Sequence, residues 1–231
     1  MRINKYISET GFCSRRETNR LIAAGRITIN GNVCEAGAEV EPQDIVLIDG
    51  EAIPLNSIEP VYLALNKPIG IVCTAAEQVA GNIISYVNYP SRIFAIGRLD
   101  KASEGLILLT NDGIIVNQMM RSENGHEKEY IVTVDKPVTN EFTQAMSRGV
   151  EILNVITKPC KVDRMSEYEF RIILTQGLNL QIRRMCKALG YRVLKLERVR
   201  IMNITLDHLE RGQWRHLERE ELELLISELK Y

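Results

Sequence analysis

Apolar and polar positions alternate in two distinct blocks along the chain. In the first block Ile3, Tyr6 and Ile7 share one helical face, and Gly11 marks the stop. Ser14 opens a second helix, with Glu17 three residues later in a capping-box pattern. Leu21, Ile22, Ala23 and Ala24 form its apolar side, and Gly25 ends it. Short alternating runs at 27–29 and 45–48 predict strands, with Asn30-Gly31 and Asp49-Gly50 as the turn signals behind them. Residues 54–60, bounded by Pro54 and Pro60, read as a linker.

The second block begins at Val61. A strand runs to Leu65 and is broken by Asn66-Lys67-Pro68. Further strands are predicted at 93–96, 106–109, 129–134 and 168–175, and helices at 181–189 and 218–229. Long strands mixed with a few helices, and no repeat of fixed period, define an α+β fold and not a βαβ array. The chain therefore divides into a small domain (1–53), a linker (54–60) and a larger domain (61–231).

Composition narrows the chemistry. The apolar fraction is 45%, enough for a sizeable core, and no apolar run approaches the roughly 20 residues that span a bilayer. The first residues lead into an amphipathic helix and not into an apolar signal core. Five widely spaced cysteines, none in a Cys-x-x-Cys pair, indicate reduced thiols, and the expected location is the cytoplasm. Three scattered histidines argue against a histidine-ligated metal or a Ser-His-Asp triad. The chemistry is left to carboxylates, Tyr, Lys and Arg, with no cofactor or metal expected and nothing that demands an oligomer.

Net charge is −1, but its distribution matters more than its total. Residues 1–34 carry six basic side chains against two acidic, residues 35–60 carry seven acidic and no basic, and residues 181–200 carry seven basic against one acidic. Two basic patches suit a polyanion gripped at two places. In the second helix Arg16 and Arg20 share one exposed stripe with Arg15 beside it, and guanidinium groups suit phosphate oxygens. A merely solvated face is the competing reading of that stripe.

The first 50–60 residues carry Gly11-x-x-Ser14-Arg15-Arg16, Leu21-Ile22-x-x-Gly25, Ile27-x-Ile29-Asn30-Gly31 and then Val40 and Asp44. This string resembles the alpha-L RNA-binding domain. The resemblance implies contact with structured RNA through shape and phosphates, with Lys5, Arg15, Arg16 and Arg20 as the RNA-facing cations.

The second block holds Gly97-Arg98-Leu99-Asp100-Lys101-Ala102-Ser103-Glu104-Gly105-Leu106, then Leu109-Thr110-Asn111-Asp112-Gly113. A loop between two apolar strands is a rigid mount for a reactive group, although an Asp there is more often a turn residue. The string resembles the signature of the pseudouridine synthase superfamily, in the branch that modifies ribosomal RNA and carries an N-terminal alpha-L domain. Leu65-Asn66-Lys67-Pro68-x-Gly70, Lys128-Glu129-Tyr130-x-Val132, Gly177-x-Asn179-x-Gln181-Ile182-Arg183-Arg184-Met185 and Gly212-x-Trp214-Arg215 follow in that family's order.

The resemblance implies a mixed, mostly antiparallel sheet with flanking helices, and the isomerisation of uridine to pseudouridine on a nucleotide turned out of its stack. The bond from C1′ to N1 breaks, the uracil turns, and C1′ joins C5, so no redox change or group transfer calls for a cofactor. By family position Asp100 is the catalytic carboxylate, acting as nucleophile or as stabiliser of a cationic sugar. Arg183 is the guanidinium that favours its charged form, and Tyr130 stacks on the uracil. Arg98 fills the gap left in the RNA, and Lys101, Gln181 and Arg184 contact phosphate or base. Arg192, Lys195, Arg198 and Arg200 extend the basic surface along a further strand. One departure stands out: Leu180 occupies a position before Gln181 that is commonly basic. Large-subunit (23S) ribosomal RNA is the implied substrate. Small-subunit ribosomal RNA, tRNA and a non-catalytic RNA-binding role in ribosome assembly are the alternatives.

Overall fold

The computed structural model describes residues 1–53, 59–76, 78–120 and 125–229, so the expected linker lies outside the described residues over 54–58. The chain forms two compact units, Met1–Pro60 with Asn111–Ile114, and Val61–Thr110 with Ile115–Tyr231.

In the first unit, helices α1 (Ile3–Glu9) and α2 (Arg15–Ala23) precede strands β1 (Ile27–Ile29), β2 (Asn32–Val33), β3 (Val46–Ile48) and β4 (Glu51–Ala52). Ser14 caps α2, its hydroxyl accepting from the Glu17 amide at 3.1 Å. The Glu17 carboxylate turns to Arg20 instead of closing the capping box, at 3.0 Å. The four strands form an antiparallel sheet in the order β2-β1-β3-β4. Asn30-Gly31 and Asp49-Gly50 take positive φ throughout, 51° and 82°, then 55° and 82°. Those are the angles a tight two-residue hairpin demands. Ile3, Ile7, Leu21, Ile22, Ile27, Val46 and Ile48 close the core between helices and sheet.

The elements after residue 60 begin with β5 (Tyr62–Lys67), α3 (Ile83–Val87), β6 (Phe94–Ile96), β7 (Glu104–Thr110), α4 (Gly113–Met120), β8 (Lys128–Val134) and α5 (Asn140–Arg148). They continue with β9 (Glu151–Ile152), β10 (Val155–Ile156), β11 (Lys161–Arg164), β12 (Glu169–Leu174), α6 (Gln181–Ala188), β13 (Val193–Ile201), β14 (Ile204–Thr205), β15 (Trp214–His216) and α7 (Arg219–Glu228). Nine strands make one sheet along the path β11-β12-β8-β13-β7-β5-β15, with β6 also on β7 and β14 also on β13. Every pairing in it is antiparallel except β13 with β7. The sheet is thus mixed and mostly antiparallel, and β13 lies between β8 and β7.

Strand β7 is buried along its whole length. Leu106 and Leu108 face Ile115, Met119, Ile201 and Leu225, whereas Ile107 and Leu109 face Leu63, Leu65, Ile83 and Val87. A third cluster, around Phe142, Phe170, Ile172 and Met185, packs α5 and α6 against β8 and β12. A strand with apolar layers on both faces cannot shift without opening two cores. That rigidity reaches the loop entering β7.

Candidate active site

Asp100 sits in the seven residues between β6 and β7, and nearly every residue of this loop is tied down. The Leu99 amide approaches Cys73 Sγ at 3.4 Å, and the Leu99 side chain is buried with Ile107 and Ile83. The Gly70 amide donates to Lys101 O at 2.8 Å, and the Ser103 amide donates to Asp100 O at 3.0 Å. Arg183 Nη2 donates to Ala102 O at 2.9 Å and to Ser103 Oγ at 3.3 Å. Gly97 leads into the loop with φ 77°, where a Cβ would press on Met120 Sδ at 3.1 Å. The Asp100 carboxylate is therefore presented by a fixed backbone.

It opens on a cleft of about 390 Å³, within the range of pockets that hold small organic groups. Asp100, Arg98, Tyr130, Gln181 and Arg183 line it, together with Met120, His126, Lys128, Leu180 and Arg198. A loop, strand β8 and helix α6 thus bring the expected Asp, Tyr and Arg to one cavity. The expected ion pair is absent, however: among the described residues no cation lies within 4.0 Å of the Asp100 carboxylate. Arg183 reaches the carbonyl of Ala102 instead, so its charge anchors the loop two residues beyond Asp100.

Two lysines without a role in the sequence analysis bear on the site: Lys128 lines the cleft, whereas Lys67 does not line it but interacts electrostatically with Asp100. Lys67, at the end of β5, is fully buried and donates to Pro68 O and Ile71 O at 2.9 and 3.0 Å. Burial pushes its ammonium below the ordinary lysine range, while Cys73 and Asp100 partly restore it. Burial also pushes Lys128 down, aided by the charge of Arg198. The sequence places Arg198 on an extended basic surface, and the structure corrects this: it is 2% exposed and lies against Tyr130. The alternation of β13 held the signal, because Arg198 is two residues from buried Leu196 and so shares its face.

The remaining candidates divide. Arg98 is exposed at the cleft. Gln181, read as an RNA contact, is only 5% exposed, and its Oε1 accepts from the Leu178 amide at 2.9 Å, so it shapes the loop before α6. Leu180, in that loop, is partly exposed with φ 52°. Arg184 is bonded to Asn179 O and Oδ1 at 3.0 and 3.2 Å, and neither it nor the exposed Lys101 lines the cleft. In the first unit Arg15 and Arg16 are exposed with no carboxylate within 4.0 Å among the described residues. Arg20 pairs with Glu17, and Lys5 with Glu9 at 3.6 Å. Among the described residues no cluster of His, Cys, Asp and Glu could hold a metal ion.

Comparison with known proteins connects this geometry to a chemistry. A profile of the family described as RNA pseudouridylate synthase matches residues 61–188, and one described as S4 domain matches residues 1–46. The chain is 52% identical over 223 residues to the dual-specificity RNA pseudouridine synthase RluF of Escherichia coli K12, across 96% of this chain and 77% of that protein. It is 34% identical over 228 residues to the ribosomal small subunit pseudouridine synthase A of Yersinia pestis, across 96% and 97% of the two chains. A crystal structure of a pseudouridylate synthase superposes with a TM-score of 0.73 at 31% identity, covering 97% of this chain and 99% of that one.

Proposed function

The chain belongs to the RNA pseudouridylate synthase family, and from that premise we propose that Asp100 is the carboxylate that acts on the sugar of a uridine flipped into the cleft. The protein is an RNA pseudouridine synthase, an isomerase that carries an RNA-binding S4 domain. In the proposed reaction the C1′–N1 bond breaks while Asp100 either bonds covalently to the substrate or stabilises the cationic sugar. The uracil turns, C5 bonds to C1′, the C5 proton leaves, and N1 takes a proton, so atoms and electrons balance with no cofactor. Tyr130 is assigned to stack on the uracil and take up the C5 proton. Arg183 holds the loop in place, and Arg98 stacks into the gap in the RNA.

The observation that carries this reading is that Asp100, Tyr130 and Arg183, far apart in sequence, line one cleft. Large-subunit ribosomal RNA is the proposed substrate. A second RNA target is favoured by the relative at 52% identity, which is described as dual-specificity. Five free thiols support a cytoplasmic setting.

The test is Asp100→Ala in a pseudouridine-formation assay. Loss of about 10³-fold or more is expected with RNA binding kept, and retained activity overturns the assignment. Mapping pseudouridines in ribosomal RNA and tRNA, with and without the gene, identifies the targets. If no large-subunit site loses its pseudouridine without the gene, the substrate proposal is refuted.

A further inference from the structure

We infer that Arg198 is a positioning residue for this reaction, its buried guanidinium setting the loop that carries Asp100 against the strand that carries Tyr130. The inference rests on the functional reading above, and it assigns a role to a residue outside the expected Asp-Tyr-Arg set.

The backbone places Arg198 between the two halves of the site. Its Cα pairs with Tyr130 of β8 on one side and with Gly105 of β7 on the other. The two strands approach so closely that a Cβ on Gly105 would sit 2.6 Å from Arg198 N. The side chain then reaches across the sheet. Nε donates to Leu106 O at 2.6 Å, and Nη1 makes a long 3.5 Å contact with Arg98 O, two residues before Asp100. The guanidinium carbon stands 6.0 Å from the centre of the Tyr130 ring, within cation–π range. One group thus touches β7, the Asp100 loop and Tyr130.

A purely structural position would not keep this charge. Glu104, the neighbouring buried carboxylate, is met by Lys195 at 3.3 Å and Arg211 at 3.1 Å. Among the described residues Arg198 has no carboxylate within 4.0 Å, and its Nη2 is buried with no hydrogen-bond partner. An unpaired buried cation opposes stability, and an apolar side chain of similar length packs without that penalty. Its field reaches Lys128 in the cleft, and buried Lys67 as well, helping to push both down. The cation is kept where its effect falls on the reacting groups.

The test uses the full chain and two variants, Arg198→Met and Arg198→Lys, with single-turnover rate, RNA affinity and melting temperature measured on each. Arg198→Met should lose about 100-fold in rate, as small displacements of reacting groups do, with RNA affinity and melting temperature held. Arg198→Lys, which keeps a charge and a donor, should recover part of that rate. The inference is overturned if Arg198→Met keeps its rate to within about threefold. It is equally overturned if the loss lies wholly in affinity, or follows a fall in melting temperature. If the Met variant does not fold, a Lys variant at full rate overturns it. Asp100→Ala in the same assay separates the two claims. An active Asp100→Ala sinks the functional reading, whereas an inactive one beside fully active Arg198 variants sinks this inference alone.

Discussion

Replacing Gly105 with alanine tests the closeness of β7 and β13 on which the site depends. Gly105 has φ 101°, outside the regions that L side chains adopt, so a Cβ strains the backbone before it meets anything. It then meets the Arg198 backbone, closer to the carbonyl oxygen than real Cβ atoms come and 2.6 Å from the nitrogen. Neither atom is the end of a flexible side chain, so the strands themselves must part. Strained φ costs about 1–3 kcal/mol and overpacking about 1–3 kcal/mol more. Together they remove about 2–6 kcal/mol from a fold whose whole stability is of order 5–15 kcal/mol. At about 2–4 °C per kcal/mol for a chain of this size, Gly105→Ala should melt about 5–20 °C lower by calorimetry. Its single-turnover rate, measured well below the new midpoint, should also fall, because the parted strands carry Asp100's loop and Tyr130's neighbour. Gly113→Ala is the control: its Cβ meets nothing within 4 Å and its φ is not positive, so a change within about 1 kcal/mol is expected. A Gly105→Ala protein that melts within about 2 °C of the parent and reacts at full rate refutes the reasoning.

Two further outcomes are expected. Arg215 on β15 holds Glu221 of α7 through bonds of 2.6 and 2.8 Å, and that guanidinium keeps the Glu221 carboxyl below its ordinary value of 4.5. A depressed carboxylate lends its stability in full above the unfolded value and loses it as pH falls through the lower folded one. Arg215→Met should therefore cost about 1–2 kcal/mol at pH 7, with the difference shrinking below pH 4.5; a difference constant down to pH 3 contradicts this. Changing Arg15, Arg16 and Arg20 together to Ala should flatten the slope of log affinity against log salt by about 2–3 units. An unaltered slope makes that stripe ordinary solvated surface.

What could be read from the sequence was what neighbouring residues encode. The Ser14 cap and the Asn30-Gly31 and Asp49-Gly50 turns are local chemistry, and the structure forms each of them. Strands around β7 and β8 also stood out, because their apolar runs are long. Three helices went unnamed. Helix α3 has only five residues, and in α5 the buried Phe142 and Met146 are two apolar residues in a polar stretch. Their caps were nonetheless present, with Asn82 and Thr139 accepting from Ser85 N and Phe142 N. Asp100, Tyr130 and Arg183 could be assembled only through the resemblance, since no local pattern links residues so far apart. Arg198 was misjudged because charge was given more weight than alternation. The register slip between Arg198 and Arg200 then hid the return of Ile201 to the core. Gln181 adds what its sequence does not reveal: the side-chain oxygen of an amide on the cleft also accepts from the Leu178 backbone.

The strand order has a consequence for how the enzyme comes into being. Because β13 lies between β7 and β8, the strand that follows the Asp100 loop and the strand that bears Tyr130 have nothing to bind them together while only their own segments have emerged. A chain still growing on the ribosome can pair β5 with β7, but it stays inert until about residue 201 arrives and threads the gap. Catalytic competence is thereby tied to the synthesis of β13, and a fragment released before that strand cannot bring the two together.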